Sequence, residues 1–474
     1  MGELGELLWM AGKAFFIALI LTPIIRDISR SFNVVDRPGQ RKVHLHPVPR
    51  VGGVAIAISY GLSLIAIGGL DRRLAGLEPG LAWKVIPGAA IAFLVGLLDD
   101  LISLRPIWKL AGLIVAASVA FSSGLQVGAV FHHELPVWVD YPLTVFWLVL
   151  ASNALNLIDG LDGLCAGMGL LATLTLSTAA MLHGYFPLAY ATFPLAGALL
   201  GFLCYNFNPA TVFLGDSGAL LIGFLLGSYG MFWNQKTSAL LSMIVPLLAL
   251  SIPLLDVSLS VLRRLIGRRP IFQGDRGHIH HRLLDQGLSP RQAVWVLYLV
   301  GALAAAFALL ASSTIGGKYQ GVIIVVFCAT AWFGIRQLRY SEFDLGGRLL
   351  LDPGVKRAAD TKARLESVVS ALEAAAAEDE WWNALAREGK DLGFTTLRWL
   401  GADGVREETL RPGAPLGWSL KIPLSETESI QVEGVFGVAM ASDDLIGLAE
   451  ILKRTFPGRD QRPSPAQGAS AGAA

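Results

Sequence analysis

Charged residues are scarce in this 474-residue chain. Asp, Glu, Lys and Arg together make up 16% of the residues, whereas 53% are hydrophobic. That balance excludes an ordinary soluble globular protein and is typical of a polytopic membrane protein. The formal net charge of +1 supplies no general attraction for nucleic acid. We therefore expect a membrane-embedded protein with no nucleic-acid partner.

Cysteines are also few, and the common nucleotide-binding motifs are missing. Cys165, Cys204 and Cys328 lie in or beside apolar runs, at spacings that form no metal motif. Their positions argue against a disulfide framework. The sequence has no Walker A motif and no convincing dinucleotide-binding fingerprint. A nucleotide site would therefore have to be built from other residues.

Long apolar runs are what the sequence has in abundance. A run of about 17–25 apolar residues can cross a bilayer as a helix. Eleven spans are predicted, near residues 8–25, 51–69, 85–100, 107–123, 141–157, 163–182, 187–204, 214–232, 239–262, 292–312 and 318–335. The residues before the first run are acidic, which favours a retained span over a cleaved signal. The predicted fold of residues 1–340 is an all-α polytopic membrane domain.

Lys and Arg are concentrated in alternate connections between these spans. The even-numbered connections contain few of them, namely Arg72, Arg73, Lys84, Lys236 and Lys318. The positive-inside rule then makes the odd-numbered connections cytoplasmic. This predicts a multi-pass protein of the inner (cytoplasmic) membrane, with its N-terminus outside and its C-terminus inside.

The composition changes after Arg336. Residues 341–460 are mixed and charged, with an amphipathic helical stretch near 355–377, alternating segments near 418–423 and 430–435, and a last helix near 443–455. This pattern predicts a small cytoplasmic α/β domain. Residues 461–474 are rich in Pro, Ala, Gly and Ser, and are predicted to be disordered.

One polar stretch separates the fifth and sixth apolar runs. Asn153, Asn156, Asp159 and Asp162 recur every third residue, and each Asp precedes a glycine. The Asp-Gly pairs should end the helix and turn the chain. Ionisable groups this close to lipid are costly, which favours a functional role. The alternative is an Asx-rich connecting turn.

A pair of acids, Asp99 and Asp100, ends the third apolar run. The carboxyl end of a helix carries partial negative charge and disfavours carboxylates. A purely structural role is therefore not expected, and replacing either acid should reduce turnover without lowering thermal stability. Paired acids can hold a divalent metal, position a nucleophile or share a proton. Lys109 follows in the same connection.

The first connection is basic, and its candidate phosphate-binding residues are Arg41, Lys42, His44 and Arg50. The alternative is a positive-inside loop that touches anionic lipid. Gly52 and Gly53 at the start of the next helix suit a close backbone approach.

The seventh connection contains Asn206 and the sequence Gly215-Asp-Ser-Gly218. Asp216 places a carboxylate beside the free amide groups of a helix start, which suits Mg²⁺ and anions. The alternative is a helix cap.

The ninth connection contains three histidines, His278, His280 and His281, followed by Arg282. A phosphate- or sugar-binding loop fits these donors. Zinc is the rival ligand, although no cysteine partner or helical histidine pair supports it.

Together these motifs resemble the polyprenyl-phosphate N-acetylhexosamine-1-phosphate transferases, across about residues 10–340. The resemblance rests on the acidic, amide and basic motifs above, in the same order. The His-x-His-His form resembles the WecA/TagO branch and not the MraY branch, which takes the pentapeptide nucleotide. One departure is Ser103, which stands where WecA-like members often carry a further acid.

The resemblance implies a reaction and a role for each motif. N-acetylhexosamine-1-phosphate, with GlcNAc as the expected sugar, would pass from a UDP-sugar to undecaprenyl phosphate, releasing UMP for cell-envelope polysaccharide synthesis. It implies Mg²⁺, or Mn²⁺ in its place, on Asp216, with Asp99 and Asp100 as further ligands or as groups acting at the lipid phosphate. Asn156, Asp159 and Asp162 would lie at the nucleotide, and the histidines with Arg282 near the diphosphate or sugar. A homodimer, and direct or covalent transfer, are left open.

Two other functions remain open at this point. A transporter would place ionisable residues near the bilayer midplane, where only Asp256 in the ninth span clearly lies. That residue is expected to pair inside the helix bundle. A membrane-anchored sensor would instead have its function in residues 341–460.

Overall fold

The computed structural model divides into two compact units, Met1–Arg339 and Tyr340–Ala474. In the first unit it describes residues 2–36, 47–70, 79–130, 133–236, 243–266, 277–313 and 319–337. In the second it describes residues 368–369, 371–373, 375, 377–401, 404–412, 417–425, 427–434 and 442–456. Three of the predictions fall outside these ranges. They concern the phosphate-site residues Arg41, Lys42 and His44, the segment 461–474 and most of the helix near 355–377.

The described part of the first unit is almost entirely helical. Its helices are α1 (Glu3–Ser31), α2 (Gly52–Leu70), α3 (Pro79–Ile102), α4 (Pro106–Ser122), α5 (Val137–Ile158), α6 (Leu164–Leu182), α7 (Phe186–Asn206), α8 (Gly215–Lys236), α9 (Ile244–Ala249), α10 (Ser251–Ile266), α11 (Ile279–Asp285), α12 (Pro290–Ser312) and α13 (Gln320–Gln337). Short antiparallel strand pairs are formed by β1 (Val35–Asp36) with β2 (Val48–Pro49) and by β3 (Ala129–Val130) with β4 (His133–Glu134).

Six of these helices are long and apolar enough to cross a membrane. They comprise α1, α5, α6, α7, α12 and residues Trp83–Ile102 of α3. The shorter apolar helical segments Gly52–Ile65, Pro106–Ser122 and Gln320–Gly334 accompany them. The chain is therefore a multi-pass membrane protein, as its composition predicts.

The ninth predicted span, near 239–262, is not one continuous helix. Within the described residues it consists of α9 and α10, separated by Leu250. Pro253 in the first turn of α10 has no N–H to donate to the carbonyl four residues earlier, so an unbroken helix would lose that hydrogen bond. The segment predicted as one span is therefore an interrupted helix at this point.

Helix α1 packs closely along α7, and small residues make this possible. A Cβ atom added to Gly197 would lie 2.0 Å from the Ala11 carbonyl oxygen, and one at Gly201 would lie 2.5 Å from that of Phe15. Small residues are a common means of bringing membrane helices together. The small residues of α7 therefore let the backbones of α1 and α7 lie in contact.

The longer elements of the second unit, among its described residues, are the strands of an antiparallel sheet and two helices. They are α14 (Glu378–Asp391), β5 (Phe394–Gly401), β6 (Gly404–Thr409), β7 (Trp418–Pro423), β8 (Ser429–Gly434) and α15 (Ser442–Thr455), with the sheet order β6-β5-β8-β7. The alternating segments near 418–423 and 430–435 thus correspond to β7 and β8. Trp381, Trp382, Phe394 and Leu448 are buried in a core of the unit's own.

Candidate active site

The amino end of α8 is the structural centre of the site. Gly52 and Gly53 donate their backbone N–H groups to the carbonyls of Phe213 (3.0 Å) and Leu214 (2.8 Å). A Cβ atom at Gly53 would lie 2.1 Å from the Gly218 nitrogen. The close backbone approach predicted for these glycines is therefore made to the start of α8, which fixes Asp216 relative to α2.

Asp100 fixes the same helix start from α3. Its Oδ1 accepts the backbone N–H of Asp216 at 2.9 Å, and its Oδ2 accepts that of Ser217 at 3.0 Å. The side chain is buried. The sequence argument against a purely structural role did not foresee this contact, in which the carboxylate that ends α3 also caps the positive end of α8.

Lys109 joins three of the predicted site residues. Its ammonium nitrogen lies 3.5 Å from Asp99 Oδ2 and 3.2 Å from Asn156 Oδ1, and it also contacts Asp216 Oδ2. Asp99 additionally accepts the backbone N–H of Leu104 at 2.7 Å. Oxygen atoms from α3, α5 and α8 thus converge on one ammonium group. We call Lys109, Asp99, Asn156 and Asp216 the Lys109 junction.

The Asp-rich stretch forms the predicted turn. Helix α5 ends at Ile158 and α6 begins at Leu164, with Gly163 in the left-handed region at φ +80°. Asp162 Oδ2 accepts hydrogen bonds from Asn208 Nδ2 (2.9 Å) and from the Ala210 backbone (3.0 Å). Asp162 therefore ties this turn to the connection before α8.

Asp159 lies in the same turn and is only partly exposed. Burial, reinforced by the negative charges of Asp100 and Asp162, raises the pKa of Asp159 to about 7. A buried carboxyl of this kind is stabilised when a cation or a hydrogen-bond donor binds to it.

His280 packs against the Asp-rich turn. Its ring is buried, and a Cβ atom at Gly160 would lie 2.3 Å from its Nε2. Burial, with a smaller contribution from the charge of His281, lowers the pKa of His280 to about 3. The ring is therefore neutral at physiological pH, and its Nδ1 has no hydrogen-bond partner among the described residues.

His278 is held from α10 by Asp256. The Asp256 carboxylate lies 2.8 Å from His278 Nδ1 through Oδ2 and accepts the backbone N–H of Ile279 through Oδ1 at 2.7 Å. The sequence predicted that Asp256 pairs inside the bundle, but gave it no place among the site residues. The missed signal is an acid within an apolar run, three residues after Pro253 and shortly before the histidine motif.

The remaining predicted site residues are less central. Asn153 donates to the Val149 carbonyl at 2.9 Å, and buried Asn206 donates to that of Val212 at 2.9 Å, so both amides hold local backbone. Arg50 donates to Ser103 Oγ at 3.4 Å. His281 and Arg282 lie partly buried on α11.

The Lys109 junction suits Mg²⁺ by the chemistry of its donors. Among the described residues, no three His, Cys, Asp or Glu side chains are arranged as a metal site. Mg²⁺, however, commonly uses one or two carboxylates and completes its coordination with water and substrate phosphates. Asp216 and Asp99, with the Asn156 amide oxygen, provide such a partial set.

Comparison with known proteins shows the family to which the chain belongs. The family model described as glycosyl transferase family 4 matches residues 82–234. The chain is 36% identical over 290 residues to a probable undecaprenyl-phosphate N-acetylglucosaminyl 1-phosphate transferase of Bacillus subtilis, covering 60% of this chain and 78% of the relative.

Two further relatives represent different members of the group. A decaprenyl-phosphate N-acetylglucosaminephosphotransferase of Mycolicibacterium smegmatis is 35% identical over 330 residues, covering 64% of this chain and 81% of the relative. A phospho-N-acetylmuramoyl-pentapeptide-transferase of Shouchella clausii is 31% identical over 338 residues, covering 67% and 98%. The chain therefore belongs to the polyprenyl-phosphate N-acetylhexosamine-1-phosphate transferases of glycosyl transferase family 4.

Proposed function

We propose that this protein transfers GlcNAc-1-phosphate from UDP-GlcNAc to undecaprenyl phosphate, giving the lipid diphosphate sugar and UMP. The names of the related proteins in Bacillus subtilis and Mycolicibacterium smegmatis support a GlcNAc-1-phosphate transferase acting on a polyprenyl phosphate. The single observation in the structure that carries the proposal is the Lys109 junction, where acidic, amide and cationic groups meet near the ends of α3, α4, α5 and α8.

The oxygen ligands of the junction are proposed to hold Mg²⁺, with Mn²⁺ as a substitute. When bound, the metal would neutralise the diphosphate of the sugar nucleotide and help to align it for attack. Asp216, Asp99 and Asn156 are the proposed ligands. Lys109 supplies a further positive charge for the phosphate groups that meet there.

The two acids of α3 then have different tasks. Asp100 uses both carboxylate oxygens to hold the start of α8, so it keeps Asp216 in place. Asp99 is partly exposed beside Lys109, with a side chain that is 20% accessible. As a proposed metal ligand, Asp99 would act at the lipid phosphate through the bound metal. That phosphate is largely ionised near neutral pH and so needs alignment more than deprotonation.

The nucleotide is proposed to lie at the Asp-rich turn. Asp159 has a raised pKa and is available for a donor on the nucleotide, whereas Asp162 holds the turn itself. The histidines and Arg282 are placed at the diphosphate or sugar. These groups lie in or next to the connections that the positive-inside rule predicts to be cytoplasmic, which supports an inner-membrane enzyme of eleven spans whose site faces the cytoplasm.

The test of this function is UMP release by the purified protein with undecaprenyl phosphate, Mg²⁺ and UDP-GlcNAc. Asp216→Asn should abolish release, because an amide is a poor Mg²⁺ ligand, while a side chain of similar shape keeps the fold. Asp285→Asn, an exposed acid at the end of α11, is the matched control. Near-wild-type release by Asp216→Asn would contradict the metal assignment.

The same assay separates the alternatives. Faster release from UDP-MurNAc-pentapeptide would identify the pentapeptide branch, to which the Shouchella clausii relative belongs by name. Movement of a nucleotide sugar across vesicles without UMP release would identify a transporter. Homodimer formation stays a prediction, which the mass of the detergent-solubilised protein tests.

A further inference from the structure

Three polar side chains lie on one face of α10 and contact the start of residues 277–285, which we call the histidine segment. Asp256, Ser260 and Arg263 are spaced four and three residues apart, which places them on a common helical face. Asp256 and Ser260 are buried, although α10 belongs to a largely apolar bundle. Buried polar groups in such a position are costly unless they are paired.

Each of the three makes a defined contact with residues 277–279. Asp256 binds His278 Nδ1 (2.8 Å) and the Ile279 N–H (2.7 Å), and Ser260 Oγ lies 3.3 Å from His278 Nδ1. Arg263 donates to the Gly277 carbonyl at 2.7 Å and to Ser260 Oγ at 3.4 Å. The side chains of α10 therefore hold both the backbone and the imidazole at the beginning of α11.

The contact with Asp256 also selects the protonation pattern of His278. An ionised carboxylate can only accept hydrogen bonds, so the imidazole must carry a proton on Nδ1. In the neutral ring the lone pair then lies on Nε2. This is a chemical consequence of the pairing, beyond its effect on the position of the ring.

The held segment continues directly into the part of α11 that faces the Asp-rich turn. The rings of His278 and His280 are stacked, with centroids 5.7 Å apart and planes 3° apart. His280 in turn packs against Gly160, between Asp159 and Asp162. A change in the position of the His278 ring would therefore affect the position of His280 against this turn.

From this geometry we infer that Asp256 is a positioning residue for the transfer reaction. It fixes the orientation and the Nδ1–H form of His278, and through the stacked rings it sets the placement of the histidine segment against the Asp-rich turn. Ser260 and Arg263 support the same segment. The inference rests on the proposed function for its reaction, although the contact itself is independent of it.

The variants Asp256→Asn and Asp256→Ala separate a chemical role from a purely structural one. The asparagine can still accept the Ile279 N–H through its amide oxygen, so the segment should stay in place. Its NH₂ group would then face His278 Nδ1 and would disfavour the Nδ1–H form. The alanine removes both contacts. Asp285→Asn, in the same segment but exposed, is the matched control.

Two measurements are made on each variant in the full-length protein. Hydrogen–deuterium exchange of residues 277–285 reports whether the segment is held. UMP release at varied UDP-GlcNAc gives kcat and KM. For Asp256→Asn we expect wild-type exchange, a KM within about twofold and a kcat lowered about tenfold, as is usual when the partner that orients a functional histidine is lost.

For Asp256→Ala we expect faster exchange across residues 277–285 and a similar or larger loss of kcat, with no change in Asp285→Asn. A wild-type kcat in Asp256→Asn would show that the carboxylate of Asp256 is not needed for the reaction, which would overturn the inference. Wild-type exchange and turnover in Asp256→Ala would overturn it as well. If the wild-type protein released no UMP, the proposed function would fail, while the exchange experiment would still test the contact.

Discussion

At the scale of single residues, Lys109 shows how the site balances its charges. The side chain is only 17% accessible, and it contacts the carboxylates Asp99 and Asp216 as well as the Asn156 oxygen. Removing one partner from a partly buried group of charges leaves the others uncompensated, which costs more than the pairing itself contributes. A divalent cation at the same oxygens would compensate the two acids in place of the ammonium.

The first prediction concerns Lys109→Met. Without the ammonium, Asp99 and Asp216 repel one another, so the variant should melt at a lower temperature than the wild type in EDTA. Mg²⁺ should then raise the melting temperature of the variant more than that of the wild type, because a ligand stabilises by its affinity for the folded state. Thermal unfolding with and without Mg²⁺ measures this, and an equal or smaller Mg²⁺ response in the variant would contradict the assignment of these oxygens to the metal.

The second prediction concerns the pH dependence of stability at Asp159. Because its folded pKa is raised to about 7, the folded carboxyl stays protonated while the unfolded one ionises, and stability falls as the pH rises from about 4 to about 7. Asp159→Asn removes this loss. It should therefore stabilise the protein more at pH 8 than at pH 5, by on the order of 1–4 kcal/mol at 1.4 kcal/mol per pKa unit, with partial exposure favouring the lower end.

Thermal unfolding of the two proteins at both pH values provides the measurement. Glu134→Gln, at an exposed residue of β4, is the control and should show the same small difference at pH 5 and pH 8. A stabilisation by Asp159→Asn that is equal at the two pH values would show that the carboxyl ionises normally in the folded protein.

At the scale of elements, the sequence predicted where helices lie better than how they meet. Apolar runs identify helices because the bilayer requires each span to satisfy its own backbone hydrogen bonds. The start of α8 was also predicted from Gly215-Asp-Ser-Gly218. The capping of this start by Asp100 could not be predicted, because the partner is more than a hundred residues away and only tertiary packing brings α3 to α8.

The interruption between α9 and α10 also depends on more than the local sequence. Hydropathy reports that residues 239–262 are apolar, whatever their local backbone geometry. Pro253 was a local sign of a break. Whether a proline interrupts a helix, however, depends on neighbouring groups that stabilise the carbonyls left without a hydrogen bond. The pairing of Asp256 with His278 likewise joins residues of two elements, so it follows from the fold and from no single motif.

The third prediction concerns the contact between α3 and α8. Asp100→Ala leaves the buried N–H groups of Asp216 and Ser217 without their acceptor, which should cost about 2 kcal/mol or more of folding free energy. Asp99→Ala removes a more exposed carboxylate and should cost less. The melting temperatures of the two variants, measured in the same detergent, make the comparison. Equal melting temperatures for Asp100→Ala and the wild type would show that Asp100 does not support α8.

At the scale of the whole molecule, the chain consists of two units whose cores are built from different side chains. The first buries small and aliphatic side chains between helices of membrane length, whereas the second has an aromatic core around Trp381, Trp382 and Phe394 under a polar-faced sheet. On the outer face of that sheet, Arg398 pairs with Glu407 and Glu433 at 3.0 Å, and the first pairing lowers the pKa of Glu407. Each unit thus has the means to fold without the other.

The last prediction follows from this division: residues after Arg339 are not needed for the chemical step. The Lys109 junction, the Asp-rich turn and the histidine segment all lie in Met1–Arg339, and the second unit begins at Tyr340. A separately folded domain can usually be removed without unfolding its neighbour. Truncation after Arg339 should therefore leave a membrane-inserted protein whose kcat for UMP release is within about twofold of the full-length value. Because regulation by the second unit would act on substrate affinity or on a partner, KM is measured alongside kcat. A truncated protein that is inserted and folded but inactive would show that the second unit contributes to the site.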